Sequence, residues 1–140
     1  MEELKEAFGE KAFEFRKILK IGRTQLQDAV PMTLGQEFAT FSVMLGEDMA
    51  RVREATSLIS EINLGATAIG TGINTDPEYA ARARHYLEEI TQLGLVTAAD
   101  LVEATQDTGS FVQLSGVLKR VAVKLSKMCN DLRLLSSGPQ

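Results

Sequence analysis

The chain has 140 residues, of which 44% are hydrophobic and 24% charged, and its net charge at pH 7 is −4. This length fits one domain with its own core, and the acidic balance disfavours nucleic acid and polybasic membrane partners. A single cysteine, Cys129, excludes an internal disulfide framework and fits a reducing compartment. The first residues do not resemble a signal peptide, and no apolar run reaches the ~20 residues of a membrane span. We therefore expect a cytoplasmic protein without a membrane partner.

Apolar residues recur at helical spacing from Glu2 to about Lys20, which predicts a first helix there. Gly22, Asp28 and Pro31 break this pattern, so the segment 21–32 is predicted to be a turn and an ordered loop.

Thr33 is the predicted N-cap of a second helix, and Gln36 completes a capping-box pattern with it. This helix should extend from Leu34 to Ile62, with one apolar face. A second face carries small residues, which should permit close approach by a neighbouring helix: Gly35, Ser42, Gly46, Ser57 and Ser60.

Residues 63–75 contain three glycines and no helical period, which predicts a loop; the contacts of its Gly65–Gly72 part do not follow from the sequence. Three further helices are predicted beyond this loop. Asp76 should cap the first of them, which has Pro77 at its first position and ends near Gln92. Thr97 with Asp100 should start a short helix that ends near Thr105, and a last one should span roughly 108–136, before Gly138 and Pro139.

The last helix has a broad apolar arc and a second apolar stripe on its opposite side, formed by Val112, Val123 and Leu134. Two apolar faces require two neighbours. The second and fifth helices, at ~43 Å each, also exceed the ~37 Å diameter of a compact domain of this size. The predicted fold is therefore all-α, one domain over residues 1–140, an elongated bundle of long antiparallel helices that other copies complete as a homo-oligomer.

Several residue types that often carry chemistry have ordinary explanations here. One histidine, one cysteine and no HExxH or CxxC motif predict no metal site, and TAIGTG (67–72) is not a dinucleotide fingerprint, so no cofactor is expected. His85 is interpreted as a solvated or salt-bridged helix residue and Cys129 as a small core residue. Glu37 and Asp48 lie within the apolar arc of the second helix. They indicate either buried pairing with Arg or Lys across a subunit contact or, slightly favoured, the edge of the arc.

The run Arg23-Thr24-Gln25 offers a guanidinium, a hydroxyl and a carboxamide, which together can bind a carboxylate. The alternative is a polar interhelical loop whose side chains satisfy backbone groups, and the residues by themselves favour it.

Four blocks of sequence, in order, resemble the central helical region of the aspartase (aspartate ammonia-lyase) group within the fumarase/aspartase superfamily. They are GRTQLQDAVPMTLGQEF (22–38), NLGATAIGTGINTDPEY (63–79), DLVEATQDTGSF (100–111) and LKRVAVKLSKMCNDLRLLSSGP (118–139). The resemblance covers essentially the whole chain. Class II fumarases are similar but usually read GRTH where this chain has Gly22-Arg23-Thr24-Gln25.

The resemblance implies conversion of L-aspartate to fumarate and ammonia through an enediolate-like dianion. It implies that Thr24 contacts a substrate carboxylate and that Gln25 stands where many relatives carry a histidine that positions substrate. The resemblance also implies active sites that are assembled from three subunits of a homotetramer and that bind a small dicarboxylate or amino-acid substrate.

The 140 residues lack other parts of the family pattern: the N-terminal and C-terminal domains and the GSSxMPxKxN loop, whose serine is the general base. They also end in Gln140 where relatives usually read SSGPR. We therefore expect no catalytic residue and no lyase activity from residues 1–140 alone. Two alternatives stay open: a self-associating helical module without catalysis, and the corresponding part of a class II fumarase.

Overall fold

The computed structural model describes residues 1–138, and Pro139 and Gln140, noted above, lie outside this part. Within it, five helices and four short strands follow one another: α1 (Glu2–Glu14), β1 (Leu19–Thr24), β2 (Gln27–Thr33), α2 (Leu34–Ile59), β3 (Glu61–Ile62), α3 (Tyr79–Thr91), β4 (Val96–Thr97), α4 (Leu101–Gln106) and α5 (Gly109–Leu135). The predicted all-α class is confirmed, because the strands form only two two-stranded sheets. None of the helices in residues 1–138 has the length and apolar character of a membrane span.

The chain divides into two compact units. The first contains residues 1–51 and 119–138 of the described part, and the second is Val52–Leu118. The prediction of one domain stays a prediction.

The core of the first unit joins α1, α2 and α5. Its buried residues are Phe8 from α1, Phe41 and Leu45 from α2, and Met128 from α5. The rings of Phe8 and Phe41 lie 5.2 Å apart between centroids in a tilted arrangement, a favourable geometry for aromatic pairs. Three helices thus share one apolar centre, which positions the first half of α2 against the second half of α5.

Small residues on α2 let α1 approach closely, as predicted. A Cβ on Gly35 would lie 2.4 Å from the carbonyl oxygen of Ala12, so only glycine fits there. Further along the same face, Ser42 Oγ donates a hydrogen bond of 3.0 Å to the carbonyl oxygen of Lys5. The prediction of a close helical neighbour is confirmed for this half of α2.

The first helix ends at Glu14, not near Lys20 as predicted. The carbonyl groups that would continue it are used by the start of α2, since Gly35 N–H donates to Phe15 O at 3.1 Å and Leu34 N–H to Ile18 O at 2.8 Å. Tertiary hydrogen bonds therefore override the apolar periodicity that runs through this segment.

The predicted loop 21–32 is a β-hairpin, which corrects the sequence-based prediction. β1 pairs antiparallel with β2, from Leu19 opposite Thr33 to Thr24 opposite Gln27, with a bulge at Gly22. A Cβ on Gly22 would lie 3.1 Å from Met32 Sδ, so glycine relieves the crowding at the bulge. Pro31 is tolerated because a two-stranded sheet has only edge strands.

The start of α2 carries the predicted capping box. Gln36 N–H donates to Thr33 Oγ1 at 3.1 Å, and Thr33 N–H donates to Gln36 Oε1 at 2.8 Å. Its end lies at Ile59 rather than Ile62, because Ser60 O accepts a hydrogen bond from Val96 N–H at 2.9 Å and residues 61–62 pair with β4.

The glycine-rich loop in the second unit packs on the starts of two helices. A Cβ on Gly65, which has φ +93°, would lie 2.4 Å from Ala80 Cβ, and one on Gly70, with φ +99°, would lie 2.4 Å from Val102 N. These two contacts supply the role that the sequence did not reveal for Gly65–Gly72, since both positions admit glycine only.

Two helices in the second unit begin later than predicted. The short helix α4 begins at Leu101 rather than at Thr97, because Thr97 pairs with Ile62 in β4. Asp100 is its N-cap, since its Oδ1 accepts from Val102 N–H at 2.8 Å. Asp76 does not cap α3, which begins at Tyr79 rather than at Pro77. Its Oδ1 accepts from Glu78 N–H at 2.8 Å, which stabilises a turn before the helix instead. The fifth helix starts and ends within one residue of its predicted limits.

Candidate functional site

The tip of the β1–β2 hairpin has two residues in the left-handed backbone region. Gln25 has φ +48° and Leu26 has φ +63°, and they form the two-residue connection between Thr24 and Gln27. A two-residue hairpin turn with positive φ at both positions normally uses Asn-Gly or a similar pair. Here two ordinary side chains adopt a conformation that disfavours each of them by roughly 1–2 kcal/mol. Such strain often accompanies a functional role.

Thr24 and Gln25, the two predicted substrate-binding residues, are exposed at this tip. Within residues 1–138 neither side chain has a hydrogen-bond partner, so the hydroxyl and the carboxamide are both available to a ligand. The third member of the predicted trio, Arg23, is paired across the hairpin, with 3.4 Å between its Nε and Asp28 Oδ1. Arg23 therefore braces the hairpin strands next to the two free groups.

A groove of about 860 Å³ lies beside the hairpin in the first unit. Gln25 is part of its wall, whereas Thr24 is not. The wall also includes the start of α2 and the end of α5, and its polar residues are Lys20, Arg23, Gln25, Asp28, Glu37, Thr40, Lys127, Asp131 and Ser137. The structure thus brings Gln25, but not Thr24, into the groove.

The six charged side chains of the groove wall pair with one another. Lys20 forms an ion pair with Glu37, Arg23 with Asp28, and Lys127 with Asp131. The wall is therefore neutral, and a ligand there meets paired charges rather than a free cation.

Sequence reasoning missed three of these residues. Lys20 was assigned to the first helix, and its pairing with Glu37 depends on the hairpin that the sequence did not predict. Lys127 and Asp131, by contrast, stand four residues apart on a helix, a spacing that predicts an ion pair directly.

The slightly favoured interpretation, the edge of an apolar arc, was wrong for Asp48, whereas Glu37 is half-buried. Asp48 is only 1% exposed, and its Oδ1 lies 2.9 Å from Arg120 Nε and 3.0 Å from Lys124 Nζ on α5. Both residues are paired within the chain itself, Glu37 with Lys20 and Asp48 with Arg120 and Lys124. Although these distances are those of ion pairs, neither oxygen of Asp48 accepts a well-directed hydrogen bond within residues 1–138.

Glu47 lies next to Asp48 and contacts the same two cations. Its Oε2 lies 3.5 Å from Lys124 Nζ and 3.7 Å from Arg120 Nη2. We call these four residues (Glu47, Asp48, Arg120 and Lys124) the Asp48 cluster. The sequence alone gave no sign of Arg120 and Lys124 as partners, because their proximity to Asp48 depends on the register between two helices far apart in the chain.

The remaining candidates have no catalytic arrangement. His85 is 61% exposed and its Nε2 lies 3.3 Å from Glu89 Oε1, which confirms the prediction of a solvated or salt-bridged helix residue. Cys129 is exposed, so its prediction as a core residue was wrong; it lies one residue beyond the buried Met128. Residues 1–138 contain no group of three or more His, Cys, Asp or Glu side chains arranged to hold a metal ion.

Fold and site together define a helical protein in which a strained hairpin presents two free hydrogen-bonding groups beside a neutral groove. The profile described as "Lyase" matches residues 1–140. The chain therefore belongs to this lyase family and, with it, to the fumarase/aspartase superfamily.

Similar proteins include several aspartate ammonia-lyases. The chain is 58% identical over 140 residues to that of Helicobacter pylori, 62% identical over 141 residues to that of Pseudomonas fluorescens, and 59% identical over 138 residues to that of Escherichia coli K12. These alignments cover 99–100% of the chain but only 29–30% of each relative, so the chain spans less than a third of their length.

Two solved structures share the fold. A fumarate lyase:delta crystallin from Brucella melitensis superposes with a TM-score of 0.93 at 57% identity, covering 98% of this chain and 30% of that one. A class II fumarase from Schistosoma mansoni superposes with a TM-score of 0.82 at 30% identity, covering 98% of this chain and 32% of that one.

Proposed function

We propose that this chain is the central, substrate-contacting segment of an aspartate ammonia-lyase, which converts L-aspartate to fumarate and ammonia. The observation that carries the proposal is the hairpin tip, where the strained backbone holds Thr24 and Gln25 exposed and without internal partners. The identity of 58–62% to aspartate ammonia-lyases supports the choice of reaction.

In this proposal, the Thr24 hydroxyl and the Gln25 carboxamide nitrogen donate hydrogen bonds to carboxylate oxygens of the substrate. Arg23 acts indirectly, because its pairing with Asp28 braces the strands that carry the two donors. The free donors suit a dicarboxylate, since hydrogen bonds to a charged acceptor are stronger than those between neutral groups.

The reaction places negative charge on the substrate. A proton leaves the carbon next to the β-carboxylate, the resulting enediolate-like dianion forms the carbon–carbon double bond, and the C–N bond breaks with its electrons leaving on ammonia. Donors that are already oriented stabilise the developing charge without reorganising. The base and the remaining donors come from outside residues 1–140, as the family resemblance implies, so these residues alone are expected to be inactive.

The test uses the complete polypeptide that contains residues 1–140, with fumarate absorbance as the assay. Losing one donor to a charged substrate removes roughly 1.5–3 kcal/mol of binding. We therefore expect kcat/KM for L-aspartate to fall about 10- to 100-fold in Thr24→Ala and in Gln25→Ala. Gln27→Ala, which makes the same change on the exposed strand beside the tip, is the matched control and should stay within about twofold of the parent.

Unchanged kcat/KM in both tip variants would show that the hairpin does not contact the substrate. Product analysis distinguishes the second enzymatic candidate, because a class II fumarase would interconvert malate and fumarate and leave aspartate untouched. Residues 1–140 produced alone serve as the negative control, and steady fumarate production by them would contradict the expected inactivity.

We also propose that the protein acts in the cytoplasm as a homo-oligomer, with a tetramer as the expected state. Support comes from the second stripe of α5, where Val112, Val123 and Leu134 are 67%, 61% and 50% exposed in the isolated chain. Exposed apolar side chains in such a row are typical of an interface. A stable oligomer without lyase activity in the complete polypeptide would favour the non-catalytic assembly module instead.

A further inference from the structure

Asp48 is a charged side chain in the apolar interior of the first unit. It is 1% exposed, and Leu45, one turn earlier on α2, is 0% exposed. A buried ion pair frequently contributes less to stability than well-packed apolar residues of similar volume, because both charges lose their hydration. Stability by itself therefore gives no reason for a carboxylate at this position.

The geometry of the Asp48 cluster distinguishes one alignment of α2 and α5 from its neighbours. Arg120 and Lys124 stand on successive turns of α5 and approach the same oxygen of Asp48, at 2.9 and 3.0 Å. A shift of α5 by one turn in either direction would bring Gly116 or Met128 opposite Asp48 in place of one cation. Only the observed register gives the carboxylate both partners.

The apolar contacts along the same seam, by which we mean the line of contact between α2 and α5, select one register less strongly than the ion pairs do. Phe41, Leu45 and Met128 form the core, with Leu125 and Leu132 packed against it. Burial of apolar surface is non-directional, and cores tolerate exchange between apolar side chains of similar volume. A shifted α5 could therefore recover much of the apolar contact but not the paired charges.

The seam that contains the Asp48 cluster also forms one wall of the groove. Glu37 precedes Asp48 by eleven residues on α2, which is about 16 Å along the helix. Near Glu37, the groove wall is completed by α5 residues Lys127 and Asp131. A one-turn shift of α5 would move these two side chains by about 5.4 Å relative to the hairpin and Glu37.

We propose that Asp48 is a positioning residue: by pairing with Arg120 and Lys124 together, it fixes the register of α5 on α2 and thereby the alignment of the groove beside Gln25. The inference rests on the proposed function for its catalytic consequence. The structural part of the inference, the register of α5 on α2, does not depend on any activity and is tested separately.

The register is measured by the distance between two spin labels in the complete polypeptide, diluted with unlabelled chains. The labels are placed at Thr40→Cys on α2 and Lys119→Cys on α5, with Cys129→Ser and any other cysteine replaced by serine. Both positions are exposed. The observed register puts them about three turns apart along the seam, so a one-turn shift changes their separation by up to about 5 Å.

Asp48→Leu should keep the protein folded, because it replaces the carboxylate with an apolar side chain of similar size. The expected result is a second distance population shifted by about 5 Å, together with a fall in kcat/KM of about 10- to 100-fold from the displaced groove wall. Glu47→Gln is the matched control, since it removes the exposed carboxylate of the same cluster; a single distance and kcat/KM within about twofold are expected.

A single, unshifted distance in Asp48→Leu would overturn the proposal. If Asp48→Leu does not fold, Asp48→Asn provides the same test, because it keeps the shape and removes the charge; an unshifted distance with unchanged kcat/KM would again overturn it. Asp48→Glu should restore the parent distance, a rescue that an effect on overall stability alone would not produce. If the parent protein lacks lyase activity, the proposed function fails while the distance measurement still decides the register.

Discussion

The two residues at the hairpin tip conflict with local preference, and this conflict is informative. Gln25 and Leu26 both have positive φ, although neither has the conformational freedom of glycine. Leu26 is also 73% exposed, so its side chain gains little from burial. A leucine at a position that is both strained and exposed contributes little to the stability of the fold. This fits a hairpin tip whose conformation serves to present Thr24 and Gln25.

The strain predicts the effect of glycine at the second tip position. Leu26→Gly removes a penalty of roughly 1–2 kcal/mol and adds roughly 0.5–1 kcal/mol of backbone entropy loss. We expect the free energy of unfolding to rise by about 0.5–1 kcal/mol in chemical denaturation. Ala29→Gly, on an exposed strand residue without positive φ, is the control and should lower it by about 0.5–1 kcal/mol. Equal losses in both variants would show that Leu26 is not strained.

At the scale of the elements, the approach of α1 to α2 depends on a small-residue face. Gly35 is buried, and the carbonyl oxygen of Ala12 and the Cα of Arg16 lie 2.4 and 2.6 Å from the place where its Cβ would be. Gly46, on the same face, has more room: its Cβ would lie 3.6 Å from the flexible Lys5 side chain. The two glycines thus share a face, but the packing of α1 requires glycine only at position 35.

This difference gives a paired prediction. Gly35→Ala forces backbone against backbone and should lower the free energy of unfolding by about 1–3 kcal/mol or more. Gly46→Ala meets only ordinary van der Waals contact and should raise it by up to ~1 kcal/mol through helix propensity. Thermal or urea unfolding of both variants, followed by circular dichroism, checks the pair. A stabilising Gly35→Ala would show that α1 does not approach α2 this closely.

The elements also show where sequence-based reasoning succeeds and where it fails. The capping box at Thr33 and the limits of α5 follow from local patterns, and both were predicted correctly. The β1–β2 hairpin was not predicted, because Gly22 and Pro31 interrupt the sequence patterns of strands as well as those of helices. Only the pairing between the two short strands, which the structure shows, reveals the hairpin. The site was predicted as two residues, Thr24 and Gln25, whereas the groove and the Asp48 cluster depend on the register between α2 and α5. No local pattern encodes that register.

At the scale of the whole molecule, the isolated chain leaves many large apolar side chains exposed. The stripe of α5 is the clearest case, since Val112, Val123 and Leu134 recur every eleven residues and are each at least half exposed. Eleven residues return to nearly the same side of a helix after three turns, so the three side chains lie on one side of α5, about 16 Å from one to the next. The row supports the proposed self-association of this protein.

The proposed interface predicts what charge in this row would do. In the complete polypeptide, Val112→Lys with Val123→Lys would place two unpaired charges per chain in a buried contact, at a cost of several kcal/mol each. We expect sedimentation at micromolar concentration to give smaller species than the parent, with helical content by circular dichroism unchanged. Ala122→Lys, about 100° around the same helix, adds a lysine on another face and should leave the assembly intact. A double variant that sediments like the parent would exclude this stripe from the interface, because a tightly packed contact would not tolerate the four lysines that two chains bring to it.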